Sequence, residues 1–298
     1  MQTKATELTV EGTILRGVFH LPEQIDTSKP SLPIVVMANG YATEWQFGTQ
    51  AFIKAFTDAG IATFNFDYRS FGQSDGMPRQ LVDIPGQLID FHQAIEHCKQ
   101  QNWVDQQQLI LWGSSLGGGH AISMAAQHPE VKAMIAQVPH CCSRAAFKTV
   151  SLSAVVKGMS NAIADSIGNL FKRPAIYLPI FSEPSEYGVM NHAGWKQSYL
   201  VLSKDSSTWK NELVARSLLK GGDYRPTLVA DQINCPSLLV PAEDDAGVPL
   251  QSVKDTANKI TQAEVFSIPG DHFGVYYGEH LDAVIQKQVA FIQQHLND

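Results

Sequence analysis

The chain is poor in charge, poor in cysteine and free of long apolar runs, and each shortage excludes something. Only 17% of its 298 residues are charged, the net charge is −7, and Lys and Arg form no cluster. Nucleic-acid binding rests on clustered cations that neutralise phosphates, so that class is excluded. No run approaches the roughly 20 apolar residues of a membrane span, and the polar start Met1–Glu7 has no apolar stretch behind it. The expectation is a cytoplasmic protein with no membrane span. Cys98, Cys141, Cys142 and Cys235 lack the spacing of a metal site, and the adjacent pair could form only a strained disulfide. Reduced thiols are therefore expected. What the chain does have is 44% hydrophobic residues, enough core for one large α/β domain or two small ones.

The stretch Leu109–Gly119 organises the remainder. Leu109–Trp112 reads as a short buried strand, Gly113-Ser114-Ser115-Leu116-Gly117 fits Gly-x-Ser-x-Gly, and residues 117–127 can be helical. A nucleophile on such a turn sits in a strained backbone, and its neighbours two positions away press on adjacent chain and must lack side chains. Gly113 and Gly117 occupy those positions around Ser115. Glycines in a first helical turn cost about 1 kcal/mol each relative to alanine, a cost explained if that helix start packs closely under a sheet.

Around this stretch, strand and helix patterns alternate. Leu8–Val10 and Ile14–His20 read as a hairpin, followed by a polar loop from Pro22 to Pro33. Strands are expected at Ile34–Met37, Thr63–Phe66, Val131–Val138, Ser237–Val240 and Glu264–Ile268. Helices are expected at about 49–59, 85–100, 250–260 and from 281 onward. Between about Cys141 and Asp231 the alternation stops, helical patterns prevail (Asn211–Lys220 the clearest), and aromatics such as Tyr187, Trp195, Tyr199 and Trp209 gather. Alternating units imply a mostly parallel central sheet with helices on both faces. Residues 1–140 and 232–298 would form this core, and residues 141–231 a mainly helical cap inserted after the strand Val131–Val138. Ligands bind beyond the carboxyl ends of such strands. Asn39-Gly40-Tyr41, Ser115, Glu243–Asp245 and Asp271-His272 all follow expected strands, so they share that edge.

A serine needs a base, and the base needs a group that fixes its tautomer. On this type of fold the order is serine, acid, histidine. Of the histidines after Ser115, only His272 follows a late strand, so it is the expected base. His120 is expected to pack in its helix, and His192, His280 and His295 to be solvated. Glu243, Asp244 and Asp245 all compete as the acid. The oxyanion donors would be the N–H of Leu116, after the nucleophile, and that of Tyr41, after Gly40. Asn39, Gly40, Ser114 and His140 adjoin these groups and are expected to contact substrate.

Taken together, these stretches, with Asp67–Gly76, Asp245–Pro249 and Gly270–Phe273, resemble the serine α/β-hydrolase superfamily along nearly the whole chain. The nearest likeness is to bacterial esterases, serine aminopeptidases and dienelactone-hydrolase-like proteins. The resemblance implies an α/β-hydrolase fold and selects Asp245 as the acid over Asp244. Many members carry His where Asn39 stands, and dienelactone hydrolases use cysteine where Ser115 stands. The expected substrate is a small to medium, moderately apolar ester or thioester, cleaved through an acyl-enzyme without cofactor or metal. Peptide or amide hydrolysis and acyl transfer would use the same residues, a non-catalytic binding protein is the alternative of another class, and a homodimer is left open.

Overall fold

The computed structural model describes residues 1–24, 31–147, 152–204 and 206–296, with the side chains of residues 146 and 147 outside that set. Part of the expected loop Pro22–Pro33, residues 25–30, lies outside the described residues.

Eight strands form one sheet: β1 (Gln2–Val10), β2 (Thr13–Leu21), β3 (Leu32–Ala38), β4 (Ala62–Phe66), β5 (Val104–Ser114), β6 (Ala133–Gln137), β9 (Ser237–Val240) and β10 (Ala263–Val265). A separate pair, β7 (Tyr177–Leu178) and β8 (Leu213–Val214), lies between β6 and β9 in the chain. The sheet order is β1-β2-β4-β3-β5-β6-β9-β10. All neighbours from β4 to β10 are parallel, while β1–β2 and β2–β4 are antiparallel.

The continuous apolar runs of the central strands bury both faces, because successive side chains alternate across a strand. In β3, Ile34, Val36 and Ala38 enter one core and Val35 and Met37 the other. β5 divides in the same way, Leu109 and Leu111 against Ile110 and Trp112. Two helices, α1 (Gln50–Asp58) and α9 (Leu281–Leu296), cover the Trp112 face with Phe52, Phe56, Val284 and Ile292. On the opposite face lie α2 (Ile84–Lys99), α3 (Leu116–Gln127) and α8 (Leu250–Ala257), with Phe91, Ile95, Ile122 and Val253. Each such buried side chain contributes about 1.5–3 kcal/mol.

Between β6 and β9 the chain forms α4 (Ser143–Phe147), α5 (Leu152–Leu170), α6 (Trp195–Leu202) and α7 (Ser217–Lys220). The helix expected over Asn211–Lys220 is reduced to α7. Leu213 and Val214 pair instead with Tyr177 and Leu178, and both are fully buried there. Asn211 fixes the extended course: its amide donates to Phe181 O (2.7 Å) and accepts from Phe181 N (2.8 Å). Tertiary pairing here outweighs helix propensity. Residues 226–232, two short 3₁₀ turns, pack against α3 and α8 and place Ala230 in the main core. All four cysteines are free, and among the described residues no helix is long and apolar enough to cross a membrane.

One buried polar chain ties α9 to the centre of the sheet. Trp112 Nε1 donates to Gln288 Oε1 (2.8 Å), Gln288 Nε2 to Gln137 Oε1 (2.8 Å), and Gln137 Nε2 to Ser114 Oγ (3.2 Å). Gln288→Leu would strand the Trp112 N–H and the Gln137 carbonyl, each at about 1–3 kcal/mol. The expected loss is roughly 2–4 kcal/mol, read from the shift in denaturant midpoint, whereas a surface substitution on α9 such as Gln286→Leu should move it by about 0.5 kcal/mol or less.

Candidate active site

β5 ends at Ser114 and α3 begins at Leu116, so the chain must reverse within one residue. Ser115 makes that turn at φ 57°, ψ −121°, a conformation that side-chain-bearing residues rarely adopt. Its backbone is clamped: Ser115 N donates to Gln137 O (2.9 Å) and Ser115 O accepts from His140 N (2.8 Å). A Cβ on Gly113 would lie 1.9 Å from Gly117 O, and one on Gly117 would lie 2.2 Å from Ala38 O. Glycine is required at both positions because backbone meets backbone there.

The ends of β9 and β10 bring two further groups to this turn. Ser115 Oγ lies 3.1 Å from His272 Nε2, and His272 Nδ1 lies 2.5 Å from Asp245 Oδ2. Asp245 Oδ1 accepts from the N–H of Gly247 (2.9 Å) and of Val248 (2.8 Å), so both carboxylate oxygens are engaged. Donation from Nδ1 to Asp245 leaves Nε2 as an acceptor toward the serine hydroxyl. Glu243 and Asp244 are exposed. The ring of Trp195 lies 5.1 Å from that of His272 and packs on Gly247, where a Cβ would lie 2.2 Å from the indole. His272 is only 2% exposed beneath it. A dry cover of this kind strengthens the electrostatic interactions under it.

Leu116 is the first residue of α3, so its N–H has no partner within the helix. The N–H of Tyr41, which follows β3, makes no hydrogen bond among the described residues. Both residues line the same cavity as Ser115 and His272. Its remaining wall is largely apolar, with Ile84, Val189, Met190, Leu218 and Val248, relieved by His140, Ser143 and His192. No Asp or Glu is among the lining residues described.

Of the four residues expected to contact substrate, only His140 lies on this wall. Asn39 turns inward, 3% exposed, and its amide closes the loop by donating to Phe66 O (2.6 Å). Ser114 stands one residue before the turn, so its side chain points to the opposite face, against Tyr276 OH (2.6 Å). Gly40 has no side chain to offer and packs against Ser115 and Thr43. His140 donates through Nε2 to Ser143 Oγ (3.0 Å), whose hydroxyl is given to Gly221 O (3.2 Å). Burial, with a smaller effect from His272, pushes His140 down to about 4. His120 is packed, as its helix position implies, between Tyr224 OH (2.9 Å) and Gln87 Oε1 (3.2 Å). Two wall residues escape the sequence reading. His192, expected to be solvated, is half-buried against Trp195 with ring centroids 4.7 Å apart. Trp195 itself was legible only as one aromatic among several.

Away from this edge, Glu96, His128 and Glu130 place ligand-type atoms within 4.8 Å of one another. Lys99 Nζ sits 2.8 Å from both carboxylates, and the His128 ring bonds to His92 and Glu130. The cluster is an ion-pair network with its own cation.

Residues 29–270 match the family described as serine aminopeptidase, S33. The chain is 29% identical to the quorum-quenching protein AidA of Acinetobacter baumannii, over 90% of this chain and 88% of the relative. It is 24% identical to the thiohydrolase aneE of Aspergillus aculeatus, over 97% and 92%. Among solved structures, the α/β hydrolase GrgF of a Penicillium species superposes with a TM-score of 0.85 at 22% identity, covering both chains completely.

The buried histidines set an acid limit on stability. Burial pushes His20 and His140 down to about 4 and His120 to about 3, against 6.5 for the free group. As pH falls below 6.5 the unfolded chain takes up three protons that the folded chain refuses, so stability falls between about pH 6.5 and 4. Asp67, whose buried carboxyl is pushed up to about 6, and Asp90, also pushed up by burial, act in the opposite direction, while His97 and His192, pushed down by burial, add to the histidine effect and keep it the larger. The urea midpoint is expected to be lower at pH 5 than at pH 7, and His120→Gln should shrink that difference. Equal midpoints at the two pH values in the native chain would contradict it.

Proposed function

The chain belongs to the serine aminopeptidase, S33, family of α/β-hydrolase enzymes, and on that premise we propose that it cleaves carboxylic esters or thioesters through an acyl-enzyme at Ser115. The observation that carries this reading is the relay from Ser115 Oγ through His272 to Asp245, at 3.1 and 2.5 Å, opening into a mostly apolar cavity. In the proposed reaction, Ser115 Oγ attacks the acyl carbon while His272 Nε2 takes the hydroxyl proton. Asp245 holds the ring with its proton on Nδ1 and stabilises the imidazolium that forms. The N–H groups of Leu116 and Tyr41 receive the developing oxyanion. His272 then protonates the leaving alcohol or thiol, and activates the water that releases the acid from Ser115.

Residues 141–231 serve in this reading as a cap, since they supply Val189, Met190, His192, Trp195 and Leu218 to the cavity wall. Ester or thioester is favoured over an aminopeptidase substrate by the wall's chemistry. A free α-ammonium needs a carboxylate, none is among the lining residues described, and Glu183 and Glu186 are exposed. The relative named a thiohydrolase supports the thioester arm.

Labelling with a fluorophosphonate probe tests the nucleophile: the native chain should label and Ser115→Ala should not, and equal labelling of the two would sink the assignment. Asp245→Asn should lower kcat by about 10⁴-fold, as when the acid of such a relay loses its charge, with Asp244→Asn within a few-fold of native. Release of p-nitrophenol or of free thiol from acyl esters and thioesters, acetyl to decanoyl, reports bond class and acyl length.

A further inference from the structure

The helix α5 is built the wrong way round for a solvent-facing helix. Leu152, Val156, Ile163, Ile167 and Leu170 fall on one stripe at intervals of four, seven, four and three residues, and all are exposed, Leu170 by 79%. Phe171 extends the stripe past the helix end and is 71% exposed. The buried face holds Gly158, Ala162 and Asp165. Asp165 is fully engaged inward: Oδ1 accepts from Ile176 N (2.8 Å), and Oδ2 from Arg216 N (3.1 Å) and Arg216 Nη1 (3.0 Å). Small residues and a buried ion pair therefore dock α5, while its large apolar side chains face outward. Six exposed large apolar side chains in one strip exceed the scatter of single residues found on ordinary surfaces.

Charge around the strip selects its occupant. Lys172 and Arg173 are exposed just beyond α5, Lys157 on α5 lies with its Nζ 4.4 Å over the ring of Tyr187, and the helix's single acid is the buried Asp165. This is a local excess of cations on a chain whose net charge is −7. A second copy of α5 would offer the same cations and no exposed acid of its own to answer them. An apolar strip rimmed by Lys and Arg matches a lipid surface bearing anionic headgroups. We propose that α5 docks the protein on an anionic lipid bilayer, with Leu152–Leu170 lying in the interface and Lys172 and Arg173 against the headgroups.

The inner face of α5 touches the cavity wall. A Cβ on Gly158 would lie 3.0 Å from Leu218 Cδ1, and Leu218 lines the cavity above Ser115. Only α5 itself and the Leu218 side chain thus lie between the docked face and the cavity.

The test is sedimentation of the full chain with vesicles of phosphatidylglycerol and phosphatidylcholine, at low and at about 0.5 M salt, roughly threefold above the physiological ionic strength at which screening is already near 8 Å. The native chain should partition at least about tenfold more strongly to vesicles containing phosphatidylglycerol than to phosphatidylcholine alone, and salt should weaken it. Ile163→Asp with Ile167→Asp should abolish binding, and Lys172→Glu with Arg173→Glu should remove the anionic preference. Both variants alter exposed positions and should keep native fluorophosphonate labelling, which establishes that they are folded and separates failure here from failure of the esterase reading. Absence of vesicle binding by the native chain would overturn the proposal. So would a native dimer that Ile163→Asp dissolves, because a second copy would then cover the strip.

Discussion

Bare backbone pressed against bare backbone around Ser115 is the constraint on which the other features depend. β3, β5 and α3 converge there with no side chain between them: a Cβ on Gly113 or Gly117 would meet carbonyl groups at 1.9 or 2.2 Å. The turn forced by that convergence gives Ser115 its φ of 57°. Val138, at φ 37°, and Ala42, at φ 54°, carry similar strain on the neighbouring loops of the same edge. Each costs on the order of 1–3 kcal/mol. The two apolar layers that flank the sheet fix its strands on both faces and so hold these residues in place. The stored strain has a chemical return. It lifts the serine hydroxyl clear of the sheet and leaves the first N–H of α3 unspent.

The electrostatics follow from the same geometry. His272 and Asp245 reach Ser115 because β9 and β10 run parallel to β5 and end at the same edge. Trp195 can lie on them only because Gly247 has no side chain. Water is thereby kept from a pair whose attraction weakens in a high dielectric. Burial holds His120 and His140 neutral and pushes His192 down as well, so these neighbours add little competing positive charge beside His272.

The parallel sheet, its order of strand and helix, and the convergence of residues 41, 115, 116 and 272 with the acidic loop 243–245 were legible because each depends on local patterns that survive in one dimension. Buried strands read as apolar runs, and glycines at close approaches read as glycines. Tertiary context decided the remainder. Residue pattern leaves Asp245 level with Glu243 and Asp244, resemblance alone favours it, and in the fold the backbone N–H groups of Gly247 and Val248 hold one of its oxygens while the other meets His272. Ser114 and Asn39 sit one or two residues from the edge, and the strand's alternation turns Ser114 away while a bond to Phe66 draws Asn39 inward. Leu213 and Val214 carry a helical pattern, yet pair with Tyr177 and Leu178 across a gap of some thirty-five residues that no local period reports. His192 and Trp195 belong to a stretch without regular rhythm, so their side chains' destination is invisible before folding.

The segment between β6 and β9 is held to the sheet beneath it by polar ties as well as apolar ones. Glu44, itself buried, accepts from Ser206 Oγ (2.6 Å) and Thr208 Oγ1 (2.7 Å); Gln80 bonds to the backbone of Lys210 and Glu212; and Ser217 Oγ accepts from Val82 N (3.0 Å). These ties are directional, and they add to apolar packing: Ile180, Phe181, Trp195, Tyr199 and Leu213 of the segment enter the same apolar layer as Leu111 and Leu116. A hydrogen bond exchanged for one to water changes free energy by only about 0.5–1.5 kcal/mol, while each large apolar side chain withdrawn from a core costs about twice that, so the shared apolar layer contributes the larger part of the hold. In the proposed reading, the wall that meets the substrate is thus built into the same core as the edge that carries the chemistry.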